Sequence, residues 1–186
     1  MLPVQLDVTR LKIAIVGRGA AAARKLKFCE NAGARHITVY SDKTGDALSA
    51  VAGARLVARL PETRDLAQAD VVFVAGLSDA VAGPIADACR ALKVLVNVED
   101  RKPYCDFHLP ALVRRGDLTL TISTAGRAPG LAGSLRRYVE RLFGPEWAGR
   151  LDELAEVRDG WRADGADMAA VKRRTDRYID EQGWLG

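Results

Sequence analysis

Short apolar runs recur through the first hundred residues and alternate with helix-prone segments. Most of the runs are unbroken and rich in β-branched residues, which is typical of strands buried on both faces of a sheet. The predicted strands are residues 12–16, 37–40, 55–59, 70–75 and 94–96. Residues 20–31 and 79–92 are predicted helices, and Gly33 is placed to end the first. This alternation predicts a parallel sheet with helices on both faces.

The pattern changes after about residue 112. Residues 118–123 alternate apolar and polar positions, which predicts a half-exposed strand. Residues 131–143 carry apolar side chains at helical spacing and are predicted to form a helix. The charged, helix-prone tail, residues 146–186, is predicted to be a small helical unit. We therefore expect three parts, residues 1–112, 113–145 and 146–186.

The composition is that of a globular protein. The chain has 186 residues, of which 48% are hydrophobic and 28% charged, so it can bury one substantial core with a smaller appended unit. No apolar run approaches the roughly 18 residues of a membrane span, and no membrane segment is expected. Residues 1–7 lack the basic and apolar stretches of a secretory signal, so we expect a cytoplasmic protein.

The formal net charge of +4 raises the question of an anionic partner. A basic surface attracts nucleic acid or a polyanionic small molecule. No aromatic residues interleave with the Arg and Lys clusters, as they do in proteins that bind single strands, so nucleic acid is disfavoured. Cys29, Cys89 and Cys105 are too far apart in sequence for a zinc pair or a disulfide framework, and no resident metal is expected.

The motif Gly17-x-Gly19-x-x-Ala22 stands where the first predicted strand meets the first predicted helix. Small residues at this spacing let the chain turn tightly, let the backbone approach a diphosphate and let the helix pack closely on the strand. The phosphates would lie on free amides at the helix start, including those of Ala20 and Ala21. A purely structural turn is the alternative. The motif in this context predicts a dinucleotide-binding site.

The second predicted strand ends at Tyr40 and is followed by Ser41 and Asp42. A carboxylate at this place can accept hydrogen bonds from a ribose diol and would repel the extra phosphate of NADP. Ser41 and Asp42 are therefore candidate cofactor-binding residues, and NAD is the favoured cofactor. Lys43 weakens that discrimination, and a simple capping role for Asp42 is the alternative.

Several further segments occur in collinear order over about the first 145 residues. They are Leu2–Asp7, the glycine turn with Ala23-Arg24-Lys25, Asn97-Val98-Glu99-Asp100, Cys105–Ala111, Leu118–Gly126 and Leu131–Arg137. In order and spacing they resemble the precorrin-2 dehydrogenase/sirohydrochlorin ferrochelatase family, known from siroheme synthase amino-terminal regions and from standalone enzymes.

The resemblance implies both a fold and a reaction. The fold is a Rossmann-type doubly wound, mainly parallel sheet, followed by a small dimerisation region in residues 113–145 and a helical carboxy-terminal unit. The reaction is the oxidation of precorrin-2, a tetrapyrrole, to sirohydrochlorin by a homodimer that uses NAD. Many members of the family then insert ferrous iron to give siroheme.

The resemblance also implies site residues. The family's key carboxylate corresponds to Asp100, and a hydroxyl of its substrate loop corresponds to Thr124. Ligands of open α/β sheets bind outside the carboxyl ends of the strands, where Gly17, Asp42, Gly76 and Asp100 would collect, so Gly76 is a further candidate cofactor contact. Asp100 is a candidate general base for dehydrogenation and for removing pyrrole protons before metal insertion. A loop or cap aspartate is its alternative.

The implied substrate is a polycarboxylate, and guanidinium groups grip carboxylates in a bidentate fork. Arg127 is therefore a candidate substrate-binding residue. Further candidates are Arg114, Arg115, Arg136 and Arg137. His108 could bind iron or shuttle a proton, although a packed or surface histidine is the commoner case.

Three segments depart from the family pattern. Arg18 stands in the middle of the glycine turn, where the family often has a third glycine, and could help to hold a diphosphate. Gly76-Leu77-Ser78-Asp79 replaces Ala-Thr-Asp-Asp, and Gly126-Arg127-Ala128-Pro129 replaces Gly-Gly-x-Ser-Pro. Two alternatives therefore stay open: a module that senses NAD(H) and regulates a partner without catalysis, and an NAD-dependent oxidoreductase acting on another small acid.

Overall fold

The computed structural model describes residues 2–43 and 45–185 of the chain. The chain divides into two compact units, Met1–His108 and Leu109–Gly186, which are called the first and the second unit below. This division falls shortly before the predicted boundary at 112/113. The predicted three-part division, with its second boundary at 145/146, stays a prediction.

The first unit alternates strands and helices, as the hydrophobic pattern predicts. Its elements are β1 (Lys12–Gly17), α1 (Gly19–Asn31), β2 (His36–Tyr40), α2 (Asp46–Ala52), β3 (Leu56–Val57), α3 (Thr63–Leu66), β4 (Val71–Ala75), α4 (Asp79–Ala91) and β5 (Leu95–Val98). The strands form one sheet in the order β3-β2-β1-β4-β5, and all neighbours are parallel. The predicted Rossmann-type parallel sheet is confirmed.

The central strands are apolar because both faces of the sheet are covered. On one face, Val16, Val72 and Val74 pack with α4 residues in a core cluster. On the other face, Ile15 and Phe73, which are paired neighbours in register, pack with α1 and α2 residues. Continuous apolar runs are the pattern expected of strands in such a three-layer arrangement.

The third strand is shorter than predicted. Only Leu56 and Val57 pair with β2, at the edge of the sheet. The amide of Arg59 donates to the carbonyl of Val57 at 2.8 Å, so the chain turns away there. The alternation in residues 55–59 thus predicts the position of the strand but not its end.

The opposite edge strand, β5, is covered by the segment that follows it. The amide of Asp106 donates to the carbonyl of Val96 at 2.8 Å, and the Asp106 carboxylate accepts from the Val96 amide at 3.0 Å. The Cys105 thiol sulfur accepts from the Val98 amide at 3.3 Å. These contacts use backbone groups that would otherwise form an open sheet edge.

The second unit combines a hairpin with three helices. Its elements are β6 (Ala111–Arg115), β7 (Leu118–Ile122), α5 (Pro129–Leu142), α6 (Trp147–Ala163) and α7 (Met168–Glu181). The strands β6 and β7 are antiparallel and are joined by Gly116 and Asp117, with φ +57° at Gly116, as a type II′ turn requires. The predicted helical character of the carboxy-terminal part is confirmed, whereas β6 was not predicted.

Aromatic side chains connect the helices of the second unit. The Trp147 ring lies 4.9 Å from the Phe143 ring and 6.1 Å from the Trp184 ring, measured between centroids. Tyr178 packs edge-on against Trp184 at 5.7 Å, and the Arg150 guanidinium lies 5.0 Å from the Trp147 ring centre. Among residues 2–43 and 45–185, no helix is long and apolar enough to cross a bilayer.

Candidate functional site

The carboxyl ends of β1, β2, β4 and β5 lie on one edge of the parallel sheet. The chain leaves β1 through α1 to reach β2 on one side, and it reaches β4 on the other side of β1. This reversal is the topological switch point at which doubly wound sheets bind ligands. Gly17 and Gly76 end or follow the two strands at the switch, while Asp42 and Asp100 follow the strands that flank them.

Two glycines are required where the turn after β1 meets the end of β4. A Cβ atom on Gly17 would lie 2.1 Å from the Ala75 carbonyl oxygen, and one on Gly76 would lie 2.7 Å from the Arg18 carbonyl oxygen. Gly76 also has φ +68°, where other side chains are strained. Both positions therefore hold the backbone of the two loops together.

The start of α1 is open to a ligand. Arg18 is the N-cap residue and its side chain makes no capping hydrogen bond, while the first helical bond runs from the Ala22 amide to the Arg18 carbonyl. The amides of Gly19, Ala20 and Ala21 precede that bond and have no intrahelical acceptor. No atom lies within 4 Å of a Cβ built on Gly19, and the first turn carries no acidic residue. A diphosphate fits this arrangement of amides and open space.

Asp42 is held by Arg18. The Arg18 Nε donates to Asp42 Oδ1 and its Nη2 donates to Asp42 Oδ2, each at 2.6 Å. The hydrogen bond from Arg18 lowers the pKa of Asp42, and the bond to Asp42 raises the pKa of Arg18. The predicted ribose acceptor and the cation in the glycine turn therefore form one bidentate ion pair.

Ser41 shapes the loop that carries Asp42. Its side chain is fully buried, and its hydroxyl donates to the Lys43 carbonyl at 2.9 Å. The Ser41 amide donates to the Val57 carbonyl at 3.1 Å. The hydroxyl predicted to contact a cofactor is therefore used inside the loop.

Asp100 follows β5 directly and has φ +59°, a backbone conformation that aspartate tolerates better than most residues. Its side chain is exposed. Its neighbour Glu99 lies 3.8 Å from the Arg24 guanidinium, whereas within the described ranges Asp100 forms no ion pair. Asp100 is thus a free carboxylate on the same sheet edge as the glycine turn.

The loop around Asp100 is fixed by residues that sequence reasoning did not single out. The Arg101 Nε donates to Asp79 Oδ1 at 2.5 Å, which ties the loop to the start of α4 and raises the pKa of Arg101. The Cys105 thiol donates to the Val98 carbonyl at 3.1 Å, and the Asn97 side-chain amide donates to the Phe107 carbonyl at 2.8 Å. A buried asparagine inside an apolar strand was the available signal.

Thr124 and Arg127 lie in the second unit, in the loop between β7 and α5. Thr124 Oγ1 accepts from the Ala128 amide at 3.3 Å, and the Thr124 carbonyl accepts from the Arg127 amide at 2.9 Å. The Arg127 side chain is exposed. Thr124 therefore stabilises a turn that presents Arg127 just before the helix.

The other arginine candidates differ in how they are used. Arg115 caps the carboxyl end of α5, since its Nε donates to the Phe143 carbonyl at 2.8 Å. Arg136 pairs with Glu140 at 2.8 Å within α5. His108 is exposed at the end of the first unit, and the described part of the chain gathers no group of three or more His, Cys, Asp or Glu side chains that could hold a metal ion.

Comparison with known proteins extends the picture from the geometry. Residues 4–111 match the model of a family described as putative NAD(P)-binding. Siroheme synthase 1 of Cronobacter sakazakii is 35% identical over 164 residues, which is 87% of this chain and 34% of that protein. Siroheme synthase of Sodalis glossinidius is 33% identical over the same shares of the two chains. The chain thus spans about a third of the length of these relatives.

A solved structure shares the fold of the whole chain. SirC, a precorrin-2 dehydrogenase, superimposes with a TM-score of 0.76 at 23% identity, covering 100% of this chain and 93% of that one. The likeness includes both the parallel sheet and the helical carboxy-terminal part. The Rossmann-type fold and its helical extension are therefore those of a known architecture.

Proposed function

This chain belongs to the family of putative NAD(P)-binding domains that its residues 4–111 match, and from that membership we propose that it is an NAD-dependent precorrin-2 dehydrogenase. It would oxidise precorrin-2 to sirohydrochlorin. The observation that carries the proposal is the placement of open amides at the start of α1 and of the unpaired Asp100 on one edge of the sheet. The similarity to siroheme synthases supports the choice of substrate.

The residues divide the cofactor between two sides of the switch point. The amides of Gly19, Ala20 and Ala21 would hold the diphosphate, and Asp42 would accept hydrogen bonds from the adenosine ribose. Gly17 and Gly76 keep the backbone low enough for this approach, and Ser41 positions Asp42 from inside its loop. When bound, NAD supplies the hydride acceptor.

Asp100 would manage the proton. Dehydrogenation removes a hydride and a proton from the substrate, and a carboxylate without an ion pair is free to accept the proton. Asp100 follows β5, while Asp42 follows β2, so three strand spacings separate them, about 14 Å along the sheet edge. The reacting half of the cofactor would therefore lie near Asp100 when its ribose lies near Asp42.

The tetrapyrrole substrate is a polyanion. Arg127 is an exposed cation in a turn that Thr124 stabilises, and both are proposed substrate contacts. The same active site would take ferrous ion as a second substrate, with Asp100 accepting pyrrole protons as iron enters. The three free thiols suit the cytoplasm, where cysteines stay reduced.

We further propose that the protein is a homodimer through α5. One stripe of this helix exposes four large apolar side chains: Leu131 54%, Leu135 39%, Tyr138 53% and Leu142 55%. Residues spaced by three and four lie on one face of a helix. The second unit buries few apolar side chains of its own, so a second copy of the chain is the occupant that completes its core.

The direct test is anaerobic incubation with precorrin-2 and NAD, followed by visible absorption. The wild-type chain is expected to form sirohydrochlorin, and a second run with ferrous ion tests iron insertion. Asp100→Asn is expected to lower the turnover rate by about 10²–10⁴-fold, as loss of a general base does, while NAD affinity stays the same.

Asp87→Asn is the matched control, since it makes the same change at an exposed position on α4 and should leave turnover intact. Full turnover by Asp100→Asn would contradict the role of Asp100. A wild-type chain that binds NAD but does not oxidise precorrin-2 would instead favour a sensing module or an oxidoreductase for another acid.

A further inference from the structure

Arg18 lies at an unusual place in the glycine turn. It is the residue between Gly17 and Gly19, and its guanidinium grips Asp42, which lies 24 residues further along the chain, with two bonds of 2.6 Å. The Arg18 side chain is 27% exposed and that of Asp42 is 34% exposed. The pair lies beside the open start of α1, so a nucleotide bound there would meet both groups.

A lone aspartate after β2 selects NAD in two ways. Its carboxylate accepts hydrogen bonds from the ribose hydroxyls, and its negative charge repels the 2′-phosphate of NADP. Arg18 changes the second effect, because the paired side chains carry no net charge. Each Asp42 oxygen keeps a lone pair for a ribose hydroxyl.

Arg18 also has donors to spare. Its two bonds to Asp42 use Nε and Nη2, and in the described ranges its Nη1 makes no hydrogen bond. A guanidinium presents five N–H donors in one plane and binds phosphate in the same forked geometry as carboxylate. The Nη1 group could therefore donate to a 2′-phosphate without release of Asp42.

We propose that Arg18 is a specificity-determining residue that cancels the repulsion between Asp42 and a 2′-phosphate, so that this site accepts NADP as well as NAD. The inference rests on the proposed dinucleotide site. It concerns how strongly that site discriminates between two cofactors and not whether the chain uses NAD.

The experiment is calorimetric titration of the purified full chain with NAD and with NADP. The measured quantity is the ratio of the two Kd values, NADP over NAD. A full charge within about 4–6 Å of a phosphate at a partly exposed site changes affinity by roughly tenfold or more. We expect a wild-type ratio below about ten and an Arg18→Leu ratio at least about tenfold higher.

Further variants separate the pair from charge in general. Asp42→Asn should lower the ratio below that of the wild type, since Arg18 is then an unopposed cation. The double variant, Arg18→Leu with Asp42→Asn, should return close to the wild-type ratio because both charges are gone. Lys43→Leu is the matched control: it removes a cation next to Asp42 that, in the described part of the chain, forms no ion pair with it, and it should shift the ratio less than Arg18→Leu does.

Salt provides a second readout that a purely structural role would not move. Ions screen exposed charges, so the ratio measured for Arg18→Leu should fall as the salt concentration rises, while the wild-type ratio changes little. Circular dichroism confirms that each variant is folded. Arg18→Gln, which keeps a hydrogen-bonding group without the charge, replaces Arg18→Leu if the latter does not fold.

The outcomes separate this inference from the proposed function. A wild-type ratio above about one hundred, an unchanged ratio in Arg18→Leu, or an equal effect of Lys43→Leu would overturn the role of Arg18 while NAD binding stands. If neither nucleotide binds the wild-type chain, the dinucleotide site itself fails and the inference falls with it.

Discussion

The two units of this chain reach stability in different ways. All but two of the apolar side chains that the structure buries lie in the first unit; Val113 and Val171 are the exceptions. The first unit packs two core clusters against a five-stranded parallel sheet. The second unit instead uses aromatic edge contacts, helix caps and ion pairs, and it leaves an apolar stripe of α5 exposed.

This difference bears on function. The proposed cofactor contacts and Asp100 are built on the unit with the dense core, where packing holds loops in place. The proposed substrate contacts, Thr124 and Arg127, are built on the unit with the thin core. A precise cofactor geometry is therefore expected from a single chain, whereas the substrate side is expected to depend on the second copy.

The largest expected effect separates the two cores. Leu26 of α1 is fully buried, and Leu26→Ala is expected to lower the free energy of unfolding by about 2–5 kcal/mol, since it leaves a cavity. Urea unfolding measures the loss, which should be the same at every protein concentration.

Leu135→Ala is the matched control, with the same change on a helix where the side chain is 39% exposed. Its contacts are expected to come from the second copy, so its effect on unfolding should depend on protein concentration. An equal, concentration-independent loss in both variants would erase the contrast between the units.

The next prediction concerns the exposed stripe of α5. Leu135→Glu places a charge in the proposed interface between two copies, which a buried unpaired charge destabilises, and should convert the dimer to monomers. Sedimentation equilibrium measures the mass. Arg137→Gln, which makes the same change in net charge at an exposed position of the helix outside the stripe, should remain dimeric. A monomeric wild-type chain would contradict the proposal.

The smallest effect is a pH dependence within the first unit. Arg59 donates to Asp65 Oδ2 at 2.6 Å and lowers the pKa of Asp65 from 3.8 to about 2. Because the folded pKa lies below the ordinary value, the pair stabilises the fold above about pH 4, and this contribution is lost as the pH falls towards 2.

Asp65→Asn should therefore flatten the acid side of a plot of unfolding free energy against pH. The same plot for Asp87→Asn, at a largely exposed carboxylate, should keep the wild-type slope. A wild-type slope in Asp65→Asn would mean that other carboxylates govern acid unfolding.

The sequence predicted the first unit well because its pattern is strong there. The strands β1, β4 and β5 are buried apolar runs, and their helices follow at regular intervals. The strand β6 escaped prediction because its sequence, Ala-Leu-Val-Arg-Arg, has neither a continuous apolar run nor clean alternation, and only Val113 is buried.

The site was predictable only where its residues are local in sequence. The glycine turn and the carboxylate after β2 follow from motif and spacing. The Arg18–Asp42 and Arg101–Asp79 pairs join residues more than twenty positions apart, so they depend on the strand order and on side-chain direction. The pattern of one chain specifies neither.

The most direct test of the central claim is a titration with NAD followed through the backbone amide resonances of the chain. If the diphosphate rests on the start of α1, the signals of Gly19, Ala20 and Ala21 will shift in proportion to NAD occupancy, because their amides become hydrogen-bond donors to it. Saturating NAD that left these three signals unmoved, while other parts of the protein responded, would contradict the account.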